Sequence, residues 1–226
     1  MDENQSFFAP YKKIYNYYDA AGADTSLLQI RDYLMCMPYP GGEIADDNRN
    51  PRVRLMKYLL IDTPNPLDAP LPSIQDRRAV VFDPERPDNP PTALGYRIFT
   101  QSRVAEAQLV GQSTLNIYIG RVIPKDSFST QVSVNFLIGS SFAYEANTKT
   151  DVLSRTWAME CAIVEALNGV NMQGVGSFAY ATGWSGDTGS SEANDQRGNV
   201  FRLLRLAYET RGGDWDATQP DAYMGL

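Results

Sequence analysis

The sequence predicts an α+β fold, an antiparallel or mixed sheet packed against one long helix and a shorter one, with a long Pro-rich loop insertion. The prediction rests on the stretch from Leu115 to Tyr180. Leu115, Ile117 and Ile119 alternate with polar or turn residues, and Val132, Val134, Phe136 and Ile138 do the same, which is the period of half-buried strands. Between Thr150 and Asn168 the apolar period becomes helical. A turn, Gly174-Val175-Gly176, then leads into a third strand, Ser177 to Thr182.

Residues 1 to 25 form a leading segment, helical in part and rich in tyrosine (Tyr11, Tyr15, Tyr17, Tyr18). Its aromatics spread over several helical faces, so Tyr15 and Tyr18 are candidates for packing on another subunit as well as on the chain's own core. Thr25 or Ser26 is expected to cap a short helix through Leu27, Leu28, Ile30, Leu34 and Met35, stopped by Pro38, Pro40, Gly41 and Gly42. Val53 to Ile61 fits either helix or strand. The period-2 face of Val53, Leu55, Leu59 and Ile61 favours strand, with Lys57 as the break in the pattern.

From Thr63 to Pro91 proline dominates (Pro64, Pro66, Pro70, Pro72, Pro84, Pro87, Pro90, Pro91), which rules out long helices and central strands. This stretch reads as an exposed arm, or as a loop ordered by a partner, with a strand-like island at Ala79 to Phe82. Leu94 to Thr100 reads as a strand and Arg103 to Val110 as a short helix or turn. A hairpin over 114–138 follows, connected through Pro124 to Ser129. The helix over 151–167 is expected to be capped by Thr150 or Asp151 and ended by Asn168-Gly169. Trp157, Cys161, Val164 and Leu167 form its apolar stripe, Trp157 and Met159 are assigned to the core, and Asp151 can pair with Arg155 one turn on. A polar loop, Gly183 to Gly198, precedes Asn199 to Tyr208, a strand (with helix as the alternative) paired with 177–182. The whole is one domain, 1–226, with 40–110 as an insertion or arm and 212–226 as an extended tail.

Composition narrows the function classes. At 43% apolar and 11% aromatic residues the chain is rich enough for a true core. The net charge of −7 argues against a groove that neutralises phosphates. Histidine is absent, which removes Ser-His-Asp and Cys-His nucleophile systems and the usual zinc sets. No apolar run approaches the ~20 residues of a membrane span, and Met1-Asp2-Glu3-Asn4-Gln5 lacks the start of a secretory signal. A cytoplasmic site of synthesis is expected, with Cys36 and Cys161 as free buried thiols.

Several strings mimic sites. Asp187-Thr188-Gly189-Ser190-Ser191 spells an aspartic-protease motif, but that chemistry needs two such aspartates, each ending a buried strand. The run Gly183-Trp184-Ser185-Gly186 before it is turn-forming. Gly174-Val175-Gly176 follows a helix, the reverse of a dinucleotide fingerprint. Asp46-Asp47 and Asp83, Glu85, Asp88 lack the register of calcium loops. No catalytic residue, metal ligand or cofactor site is assigned. Arg121, Arg202 and Arg205 are candidate partners for acidic residues across a subunit interface, because a guanidinium binds carboxylates bidentately. Trp184 joins Tyr15 and Tyr18 as a candidate aromatic contact.

The region from about 115 to 206 resembles the neck proteins of tailed bacteriophages, the head–tail connector and tail-terminator group. Carrying the resemblance are Leu115-Asn116-Ile117-Tyr118-Ile119-Gly120-Arg121, the strand at 132–138, the helix with Arg155-Thr156-Trp157 and Ile163 to Leu167, Gly174-Val175-Gly176-Ser177-Phe178, and a late strand. It implies a structural virion protein assembled in the host cytoplasm. Such a protein forms a cyclic homo-oligomer, a hexamer or dodecamer, that meets neighbouring portal, connector or tail proteins and lets DNA pass without specific binding. The competing expectations are a carboxylate-dependent hydrolase (acid protease or metal nuclease) and a carbohydrate- or receptor-binding module built on Trp184, Trp215 and the Tyr-rich start.

Overall fold

A computed structural model describes residues 20–37, 44–101, 112–124, 129–141, 145, 154–172, 176–179, 189–194 and 199–211. The helices are α1 (Ala20–Leu34), α2 (Pro51–Leu60), α3 (Ile74–Ala79) and α4 (Arg155–Leu167), with a 3-10 turn at Pro66–Asp68. The strands are β1 (Ile98–Phe99), β2 (Thr114–Pro124), β3 (Ser129–Ser141), β4 (Asn171–Met172), β5 (Gly176–Ala179), β6 (Gly189–Asn194) and β7 (Asn199–Arg211). They make one mixed sheet in the order β1-β2-β3-β7-β5-β4, with β6 also on β7. Among the described strand pairs only β1–β2 is parallel. The class is therefore α+β, with more helix than the one long and one short element expected. Among the described residues no helix is long and apolar enough to cross a membrane.

The strands form where alternation predicts them. Ile117, Phe136 and Leu204 face one another across β2, β3 and β7, as do Ile119, Val134 and Leu206. This ladder joins the core under α4, where Met159, Ala162, Ile163 and Leu167 are buried. The opposite face carries Asn116, Tyr118, Ser133, Asn135, Arg205 and Glu209 by the same alternation. A bulge between Ile119 and Arg121 centres on Gly120, where a Cβ would come within 2.7 Å of the Asn135 side chain. β7 pairs with β5 through Phe178 and Tyr208, as expected from the sequence.

Several expectations are corrected. Residues 53–60 are helix. Asn50 accepts the Arg52 N–H and Pro51 takes the first turn, a start signal that outweighs the period-2 face. α1 begins at Ala20, so Thr25 and Ser26 lie inside it, and Ser26 hydrogen-bonds the Tyr208 hydroxyl. α4 starts at Arg155 after Ser154, and its N-terminus is held by Glu145, whose carboxylate accepts the Thr156 N–H at 3.0 Å and its hydroxyl at 2.6 Å. Gly189 to Asn194, read as loop, is β6. The island 79–82 supplies only a single parallel bridge, Val81 to Ile98. The Gly169 ending of α4 stands, at φ +75°. Thr150, Asp151, Arg103–Val110, Gly174-Val175 and the tail 212–226 lie outside the described residues.

The prolines from 64 to 91 punctuate their stretch without keeping it off the core. Pro66 and Val80 are buried, and Ser73 opens α3 by accepting the Asp76 N–H. Phe82 stacks edge-on against Tyr96 at 5.3 Å.

Helix ends in this layer are closed by distant arginines. At the end of α2, Arg155 donates to the carbonyls of Tyr58 (3.4 Å), Ile61 (3.1 Å) and Thr63 (2.5 Å). Arg97 donates to Leu59 O (2.8 Å) and grips Asp62 with two nitrogens at 2.9 and 2.5 Å. At the end of α1, where Cys36 turns with φ +55°, Arg77 donates to the carbonyls of Met35 and Cys36 at 2.7 and 2.6 Å. Asp151, the expected partner of Arg155, lies outside the described residues, and Arg155 itself is fully buried. Replacing it with Met strands several buried acceptors, and destabilisation of about 3–5 kcal/mol is expected in urea unfolding. Arg155→Lys should recover less than half of that loss, because an ammonium cannot span the same carbonyls.

Candidate functional site

Where α4 passes over β6 and β7, four polar side chains and a tryptophan converge. Arg202 on β7 is buried, and its guanidinium lies over the Trp157 ring, 4.4 Å from the centroid. Its Nε stands 3.4 Å from Glu160 Oε2 without making a hydrogen bond, while its terminal nitrogens reach Ser190 Oγ (3.4 Å) and Glu192. Ser190 donates to Glu160 Oε2 at 2.7 Å. The local sequence explains the assembly. Arg202 and Glu192 are register partners on the α4 side of β7 and β6, Ser190 is two residues before Glu192, and Trp157 and Glu160 are three apart on one helix face.

Trp157, assigned to the core from the sequence, is 38% exposed. α4 is apolar on two faces. Its buried face is Met159, Ala162, Ile163 and Ala166, whereas Trp157, Cys161 and Val164 form the outer, partly covered stripe. The first four continue the sheet core, and Trp157 is partly exposed beneath the Arg202 guanidinium. Leu167, grouped with that stripe in the sequence, belongs to the buried face.

A serine held by a carboxylate has no imidazole to take its proton, since the chain has no histidine. The nearby Cys161 thiol is pushed up by burial and then by Glu160 and Glu165, away from the reactive thiolate. Cys36 is likewise raised by burial, and both cysteines are free. Asp46, from one of the acidic runs, is held below the usual carboxylate range first by its hydrogen bond from Lys57 and then by the Leu71 N–H. Asp47 is lowered by Arg49. Among the described residues no group of three or more Asp, Glu, Cys or His is placed to hold a metal ion.

Of the sequence candidates, Arg121 and Arg205 are exposed and share the face away from α4, beside Ser133 and Asn135 respectively on the two sides of β3. Arg202 lies on the opposite face and is paired within its own chain. Tyr15, Tyr18, Trp184, Trp215 and Asp187 lie outside the described residues. Ser190 and Ser191 of the protease-like string lie in β6, paired with Leu204 and Leu203. Glu160 and Glu192 went unnoticed in the sequence, where the only signal was an acidic residue three positions after Trp157.

Neither a protein-family model, nor a curated protein, nor a solved structure matches this chain.

Removing Arg202 leaves Glu160 buried without its countercharge, so Arg202→Met should cost about 3–5 kcal/mol in chemical denaturation. Trp157→Ala should cost only about 1 kcal/mol, the value of a partly exposed cation–π contact and its packing. Equal losses for the two variants would mean that the stack, not the buried ion pair, governs the site.

Proposed function

We propose that this chain is a structural subunit of a tailed-bacteriophage neck or tail, a head–tail connector or tail terminator that forms a closed ring joining portal or capsid to tail around the DNA channel. The reading is supported by the order of elements in the region that resembles neck proteins. A long antiparallel hairpin (β2–β3) is followed by the core helix α4, then by the glycine-led strand β5, and last by β7, which inserts between β3 and β5. The chain's own surfaces suit assembly. Arg121 and Arg205 present exposed guanidinium groups on one sheet face, and Trp157 with Arg202 makes the kind of aromatic–arginine cluster that anchors interfaces.

In this role the protein works without turnover. Cyclic homo-oligomerisation, as a hexamer or dodecamer, needs two different surfaces of one chain that fit each other and close. A net charge of −7 per subunit gives a ring wall that repels phosphates, so DNA passes without sticking. Neighbouring portal, connector or tail proteins would complete the joint, and the site of action is the virion.

Light scattering on the purified chain, alone and with its neighbouring virion proteins added, tests the reading. A discrete multiple of 25.1 kDa is expected in at least one of the two conditions. A chain that stays monomeric in both would contradict it and favour the binding-module or hydrolase alternatives.

A further inference from the structure

β6 is held to the sheet differently from its neighbours. The core draws side chains from β1, β2, β3, β5 and β7, and none from the described side chains of β6. Ser190, Ser191 and Glu192 are exposed. Among the described strands β6 pairs with β7 alone, Gly189 to Asn194 running against Arg205 to Val200. β7 does not need that support. β3 pairs with it from Asn199 to Arg211, and β5 pairs with it again from Ala207 to Glu209. A strand that buries no apolar side chain keeps only its backbone ladder and whatever its polar side chains add.

Polar clips on the α4 side supply that addition. The Ser190 hydroxyl donates to Glu160 Oε2 at 2.7 Å, and Arg202 pairs with Glu192 and reaches Ser190 Oγ at 3.4 Å. The Glu192 side chain is 48% exposed, so its share is small. The clips also leave a buried donor unused. Arg202 Nε has no hydrogen-bond partner and stands 3.4 Å from the Glu160 oxygen that Ser190 occupies. Once Ser190 leaves, that N–H is free to turn onto Glu160, and a charge-assisted bond takes the place of the clip. Arg202 thereby has two settings, one shared with β6 and one confined to α4 and β7.

We infer that β6 is a releasable strap, opening from β7 while β3, β5 and α4 stay closed, with Arg202 passing from Glu192 to Glu160. Closed, the strap occupies the β7 edge from Val200 to Arg205. Open, it leaves that edge unpaired. An unpaired edge templates pairing with other chains, so the closed strap is an internal guard on the sheet margin. The motion lies within one chain and goes beyond the ring reading.

Native-state hydrogen exchange on the full chain tests the strap. Amides bonded between β6 and β7 should exchange about a hundredfold or more faster than those between β3 and β7, which stay protected. Glu192→Gln weakens only the closed form, so β6 exchange should rise about tenfold with the β3–β7 amides unchanged. Glu160→Gln removes the carboxylate that receives Arg202 in the open form, while Ser190 keeps an acceptor. β6 exchange should therefore slow several-fold. A residue that merely anchored β6 would give the opposite sign. Faster or unchanged β6 exchange in Glu160→Gln, no change in Glu192→Gln, or β6 amides that open only with the whole sheet would each overturn the strap. Should Glu160→Gln fail to fold, the unmodified chain and Glu192→Gln decide by the same criteria.

Discussion

The end of α2 is the point on which the rest of the structure depends. α2 is ten residues long and seven of them, Val53 and Leu55 to Leu60, are buried, so its last carbonyls lie against the protein interior. Those acceptors must find donors inside the protein. The donors are Arg97, immediately before β1, and Arg155, the first residue of α4. Burying two guanidinium groups beside the Asp62 carboxylate is costly. The negative end of α2 and the carbonyls of Leu94, Ile61 and Thr63 make up the balance. One cluster thereby fixes the helical layer to the sheet margin and to the helix that covers the sheet. The same device recurs with Arg77 at the end of α1 and with the Tyr33 hydroxyl, which donates to Ala166 O near the end of α4.

This explains which elements could be read from the sequence. β2, β3 and β7 were legible because each has one apolar face, and alternation survives when only one side is buried. α2 was not, because a helix buried nearly all round loses its 3.6-residue period, and a chance period-2 face then looks like a strand. Its start signal, Asn50-Pro51, was present and outweighed. α3 was hidden among prolines, although Ser73 and Asp76 spell a local cap. β6 is too polar for any apolar period to mark it, as suits a strand at a sheet margin. α4 was placed correctly to within four residues at its start, and Met159 and Leu167 are buried as expected, but Trp157, Cys161 and Val164 of the expected stripe lie on the outer side, since a helix with two apolar faces offers two stripes.

The site was partly legible. Arg202 could be singled out as an arginine on a late strand, but its partners come from two other elements, α4 and β6, which meet it only in the folded chain. Arg155 was read only as a partner for Asp151, one turn back on the same helix. Nothing in a linear sequence tells a guanidinium that caps a remote helix from one that faces water. The carboxylate runs, set aside because they lack the register of calcium loops, include Asp46, which pins the buried Lys57. These charges hold distant segments of the chain together.

The central claim is that the arginine cluster makes the helical layer and the sheet one cooperative unit. Native-state hydrogen exchange tests it most directly, by comparing amides of α2 with those of β3 and β7 in the unmodified chain and in Arg155→Lys. The account predicts one shared opening free energy for the slowest amides of all three elements, falling together in the variant. An α2 that opens well below β3 and β7, with the variant lowering α2 alone, would contradict it.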